Sequence, residues 1–159
     1  MTTPLTTARE WRLFAAWVAG DSERARVELR AASELSARAF REMLLMLHLF
    51  AGVPRTLEAC ATVEGERPDF LPPPDGEVLE EPDCPERGWR GFEAVYAAKA
   101  PAVLARLKSF HGDIAHWVIG HAYGRVLGRP GLSFVDRELL AVAALVELGT
   151  VLQLESHVR

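Results

Sequence analysis

The sequence predicts an all-α protein built as a compact multi-helix bundle. Three observations carry this. Apolar residues recur at spacings of three and four through most of the chain. Helix starts and stops punctuate these runs: Ser36 and Ser133 as caps, Pro54 and Pro101 as first-turn prolines, Gly20, Gly52 and Gly149 as breaks. No strand-like alternation of useful length appears, and there is no GxGxxG, GxxxxGK[ST] or GxSxG.

Taken in order, Thr6 or Thr7 caps a first helix running to about Ala19, with Trp11, Phe14, Ala15 and Val18 as its stripe. A second helix, about Glu23 to Ala32, has few apolar positions and belongs on the surface. The third starts at Ser36 and carries Phe40, Met43, Leu44, Leu47 and Phe50, the pattern of a central buried helix. His48 lies within it, as a packed histidine or one facing a cavity. Gly52-Val53-Pro54 stops this helix, and Pro54 suits the first turn of a short fourth one. Arg55, beside the break, can reach an anion or the preceding helix end.

Between residues 65 and 88 there are six prolines and the acidic run EVLEEPD. This predicts a connector or arm between two helical halves of a single domain covering 1–159. Beyond it, a helix from Arg90 to Ala98, another opened by Pro101, and a helical region from Phe110 to Val126 follow. His116 and His121 are five apart, which does not stack two ligands on one helix face, and HExxH is absent; no metal site is expected. Gly120 and Gly124, four apart, suit close helix packing. Tyr123 and His116 are candidate pocket residues.

Composition narrows the function. The 159 residues are 49% apolar and 25% charged, as in an ordered globular domain. The net charge of −4 and the absence of a basic block argue against nucleic acid. No long uncharged apolar run or secretion signal is evident, so no membrane association is expected and the cytoplasm is the expected compartment. The cysteines are Cys60 and Cys84 only, without a CxxC.

The last stretch, Gly131 to Arg159, holds the most suggestive polar set: Glu138, Gln153 and His157. Gln153 and His157 are four apart and share a helix face. Glu138 and His157 are nineteen apart, about 28 Å on one straight helix at about 1.5 Å per residue. They meet only if the chain bends, and Gly149-Thr150 is the natural break, unless a partner subunit supplies one of them. Such a carboxylate and imidazole can move a proton. Equally, Glu138 can be an ordinary first-turn charge and His157 a last-turn one, each favourable to its helix dipole.

Tyr123-Gly124, Arg129-Pro130-Gly131-Leu132, Arg137-Glu138-Leu139 and Gln153-Leu154 with His157 together resemble the carboxymuconolactone decarboxylase family, which includes the alkylhydroperoxidase-D-like proteins. A second patch, Arg41 to Ala59, resembles a segment that in the family follows the His segment; here it precedes it, so the order is rotated. The resemblance implies an all-helical fold of the alkylhydroperoxidase-D-like type, assembled as a homo-oligomeric trimer or hexamer. It implies that Arg41–Ala59 packs near the terminal helices. In the peroxidase branch a Glu and a His serve a CxxC pair; Thr150 and Gln153 stand at those positions, so that chemistry should be absent. The decarboxylase branch needs no thiol and no cofactor. It acts on a small carboxylated lactone, and the resemblance gives His157 proton transfer, Glu138 orientation and Gln153 substrate positioning, with Arg129 or Arg137 binding the carboxylate. A non-catalytic oligomeric scaffold, or a peroxidase using Cys60 or Cys84, are the alternatives.

Overall fold

The computed structural model describes residues 8–32, 36–71 and 84–157. The expected cap at Thr6 or Thr7 and most of the proline-rich connector lie outside them. Every regular element among the described residues is helical, so the all-α expectation holds. The chain divides into two compact units. The first comprises 1–78 and 130–159, and the second, 79–129, is inserted within it.

The first unit contains α1 (Ala8–Ala19), α2 (Ser22–Arg30), α3 (Ala37–Glu66), α7 (Phe134–Glu147) and α8 (Val151–His157). Asp21 caps α2 by accepting from the Arg24 amide, and Ser36 caps α3 by accepting from the Ala39 amide. The core is aromatic and aliphatic: Trp17 meets Phe40 edge-on at 5.5 Å, and Phe40 meets Phe70 at 4.6 Å. α3 is two helices joined at Gly52, whose φ of 76° and ψ of 168° are not helical. The third and fourth helices read from the sequence are thus present, with a break where Gly52 and Pro54 put it. The second half runs to Glu66. By length and composition α3 could cross a membrane. Its two halves are each about 22 Å at about 1.5 Å per residue, short of an about 30 Å hydrocarbon core.

Arg30 ties α2 to the end of α3, donating to both carboxylate oxygens of Glu66 at 2.7 Å. These hydrogen bonds hold the Glu66 carboxyl below its ordinary range. A depressed carboxyl contributes stability above its unfolded pKa and loses it as pH falls through the folded value. The stability difference between the parent and Glu66→Gln should therefore be present at neutral pH and vanish in acid. Urea unfolding of both proteins across that range measures it.

The second unit contains α4 (Cys84–Tyr96), α5 (Ala100–Phe110), α6 (Gly112–Trp117) and a π-helix (Val118–Leu127). α4 starts six residues before the expected Arg90, because Pro85 occupies the first turn, where a missing N–H costs nothing. The helical region expected from Phe110 to Val126 starts instead after His111, which is extended and caps α6 through Nδ1, while Phe110 ends α5. α4 and the π-helix touch backbone to backbone. A Cβ on Gly88 would collide with the Ile119 carbonyl, and one on Gly124 with the Cys84 carbonyl. At Gly120 nothing lies within 4 Å, so of the two glycines expected to allow close packing only Gly124 does so. The Gly128 amide bonds to the Tyr123 carbonyl, the five-residue step of a π-helix. The Gly124 carbonyl would need the Arg129 amide, which turns to Val126 instead. Arg87 takes that carbonyl, donating from Nε at 2.8 Å and Nη2 at 2.6 Å.

Candidate active site

Ser133 fixes the start of α7. Its Oγ accepts from the Asp136 amide at 3.1 Å and donates to Asp136 Oδ2 at 2.6 Å. This reciprocal cap buries Asp136 and sets the rotation of the first turn. Arg137 then points inward. Its Nη2 donates to Glu42 Oε2 on α3 at 2.9 Å, and the two side chains are only 1% and 9% exposed. Glu138 follows about 100° further round the helix.

At the other end, Gly149 adopts φ +65°, which a residue with a Cβ rarely does. The Thr150 amide closes on the Leu145 carbonyl at 3.1 Å. The chain turns there and α8 packs back on α7. The bend read from Gly149-Thr150 brings together residues nineteen apart: His157 Nδ1 lies 2.7 Å from Glu138 Oε2. The imidazole is 9% exposed and the carboxylate 18%. Glu138 Oε1 is buried and has no hydrogen-bond partner among the described residues.

The chemistry of this pair follows from its geometry. With the proton on Nδ1 held by the carboxylate, Nε2 is left as the base; with both nitrogens protonated, Nε2–H becomes an acid and Glu138 stabilises the imidazolium. No third ligand-type residue joins them: among the described residues no group of three His, Cys, Asp or Glu side chains is placed to hold a metal.

The other sequence candidates are placed differently. Gln153 is exposed on α8. Arg137 is not available to a substrate carboxylate, because its guanidinium is buried and neutralised by Glu42; this corrects the expected binding role. His116, Tyr123 and Arg129 belong to the second unit. His116 is exposed on α6. Tyr123 is buried edge-on to Phe92 at 5.3 Å. Arg129 is half-buried beyond the π-helix. His48 Nδ1 is bonded to the Leu45 carbonyl of its own helix. Arg55 pairs with Glu58 at 2.8 Å. Glu42 escaped the sequence reading; its signal is an acid within the apolar face of FREMLLML.

The segment Arg41–Ala59 lies on α3, which packs against α7 through the Glu42–Arg137 pair. No family model matches the chain, and no solved structure matches it. The chain is similar to Peroxisomal protein 2 of Schizosaccharomyces pombe, at 28% identity over 121 residues. That match covers 75% of this chain and 57% of the yeast protein, so the chain spans little more than half of its relative's length.

Proposed function

We propose that the chain is a cofactor-free decarboxylase acting on a small carboxylated lactone or a related acid. The observation that carries this reading is the 2.7 Å contact between His157 and the largely buried Glu138. The resemblance of the surrounding residues to the carboxymuconolactone decarboxylase family supplies the reaction class. The bond from ring carbon to carboxylate breaks, carbon dioxide leaves, and the electron pair enters the conjugated lactone carbonyl as a dienolate. Protonated His157 delivers the proton to carbon, Glu138 holds the imidazolium while it is charged, and solvent restores the proton. Gln153, one turn before His157 at the exposed rim, orients the substrate.

A second reading, a non-catalytic oligomeric helical protein, is favoured by one observation: burial of Arg137 removes an expected carboxylate-binding cation. A peroxidase is disfavoured, because burial pushes the Cys60 thiol up, away from the reactive thiolate. The name of the yeast relative adds the peroxisome to the cytoplasm as a compartment for this chain, and imaging of an N-terminally tagged chain separates the two.

The test is loss of a carboxymuconolactone-type substrate with no metal or reductant added. The parent should turn over, His157→Asn should fall by about 100-fold or more, and Cys60→Ser should match the parent. Unchanged turnover in His157→Asn moves the chemistry elsewhere; no turnover in the parent rejects this substrate class.

A further inference from the structure

The charges of this chain are unevenly placed. From Ala97 to Arg129 there are five basic side chains (Lys99, Arg106, Lys108, Arg125 and Arg129) against one acid, Asp113, although the whole chain carries a net charge of −4. Both lysines of the protein lie here. The same stretch presents large apolar side chains to solvent. Phe110 is 62% exposed, Ile114 41% and Trp117 63%. They lie at the corner where α5 ends and α6 begins. Ile114 and Trp117, three apart, share a face of α6, and Ala115 on its other side is buried. α5 buries only Ala100. At about 3.6 residues per turn, its Val103, Leu104, Leu107 and Phe110 fall within an arc of about 120°, with Arg106 about 40° beyond one edge and Lys108 about 40° beyond the other. Val103, Leu104 and Leu107 are half-buried, whereas Lys99, Arg106, Lys108 and Arg125 are exposed. The Arg106 guanidinium lies 5.1 Å from the centre of the Phe110 ring, so cation and aromatic are presented together.

We propose that this corner, α5 with α6, docks on an anionic lipid bilayer. Phe110, Ile114 and Trp117 enter the boundary between headgroups and acyl chains, and Lys99, Arg106 and Lys108 meet the lipid phosphates and carboxylates. Charge complementarity selects this occupant. Apolar and aromatic side chains bordered by Lys and Arg are the chemistry of a helix lying on a negatively charged membrane surface. Trp suits that depth, since its ring is apolar and its N–H stays wet. The one acid, Asp113, stands in the first turn of α6, where it favours the helix dipole. A second copy of the chain is the poorer occupant, because a two-fold contact would set these cations against their own copies. The lack of a spanning apolar run does not bear on a helix that lies in the interface. The proposal does not depend on the decarboxylase reading.

Co-sedimentation of the full chain with vesicles tests it. The parent should bind vesicles of phosphatidylserine and phosphatidylcholine in equal parts, and bind pure phosphatidylcholine far less. Arg106→Gln with Lys108→Gln should weaken binding by about 30-fold, each lost cation contributing about 5-fold. Phe110→Ser with Trp117→Ser should weaken it by about 10-fold or more. Val27→Ser with Leu57→Ser removes two side chains, each 63% exposed, from the first unit and should leave binding unchanged. Circular dichroism checks that each variant keeps its helix content. Lipids brominated on their acyl chains should quench the tryptophan fluorescence of the parent, and Trp117→Phe should lose that quenching although Trp11, Trp17 and Trp89 remain. A parent that ignores phosphatidylserine vesicles overturns the proposal, as does equal binding to both vesicle types. Binding that survives the Phe110 and Trp117 changes overturns the placement at this corner. Displacement by soluble glycerophosphoserine would make it a site for a free anion rather than for a bilayer, and binding to poly(U) as tight as to the vesicles would give it to nucleic acid.

Discussion

Glu42→Ala should destabilise the first unit by about 3–5 kcal/mol, the cost of leaving a buried charge without its partner. Arg137 Nη2 donates to Glu42 Oε2 at 2.9 Å, with both side chains almost wholly out of water. Removing Glu42 takes the buried carboxylate away from a guanidinium that cannot lose its proton at any accessible pH. The arithmetic changes when both partners go. Glu42→Leu with Arg137→Met removes the desolvation cost along with the attraction, so the double variant should lose far less than the sum of the single ones. Urea unfolding of the parent, the two single variants and the double variant reads this directly. A double variant as unstable as the sum would mean that the two residues act separately. The pair also matters to the proposed chemistry, because it joins α3 to the first turn of α7 and Glu138 is the next residue. Any assay of a Glu42 or Arg137 variant therefore needs a folding control before a loss of turnover is assigned to the site.

Much of this arrangement was legible because it is local. The Ser133 cap, the Gly52 break and the Gly149 turn each follow from a residue whose backbone chemistry has few alternatives. The Glu138–His157 contact was legible for the same reason: once Gly149 bends the chain, two helices of known pitch must lie side by side. What was not legible depended on residues distant in sequence. Arg137 looked like a substrate cation because its partner, Glu42, is 95 positions away and on another helix. Gln153 shares its helix face with His157 by spacing, but a seven-residue helix leaves one end of that face in solvent. In the second unit, a pattern with helical period cannot distinguish four-residue from five-residue hydrogen bonding. The π-helix therefore passed as an ordinary one, and its close approach to α4 through Gly88 was not anticipated.

Gly124 and Gly120, four residues apart on that π-helix, should respond to alanine with opposite signs. At both positions Ala gains about 1 kcal/mol over Gly from the smaller conformational freedom lost on folding. At Gly120 nothing opposes that gain, since no atom outside the local helix backbone lies within 4 Å of the added methyl. Gly120→Ala should therefore stabilise the second unit by about 0.5–1 kcal/mol. At Gly124 the methyl meets the Cys84 carbonyl, which is backbone and cannot rotate aside. α4 must move away. That movement loosens the Arg87 bonds to the Gly124 carbonyl and the packing of Phe92 on Tyr123. Overpacking of this kind costs about 3 kcal/mol or more, and the propensity gain offsets only about 1 kcal/mol of it. Gly124→Ala should thus lower stability by at least about 2 kcal/mol. Thermal and urea unfolding of the two variants beside the parent decide the matter. If both alanines stabilise, α4 and the π-helix do not approach as closely as described. If both destabilise, the helix has no slack at Gly120, and its five-residue hydrogen bonding rather than its contact with α4 is what glycine protects.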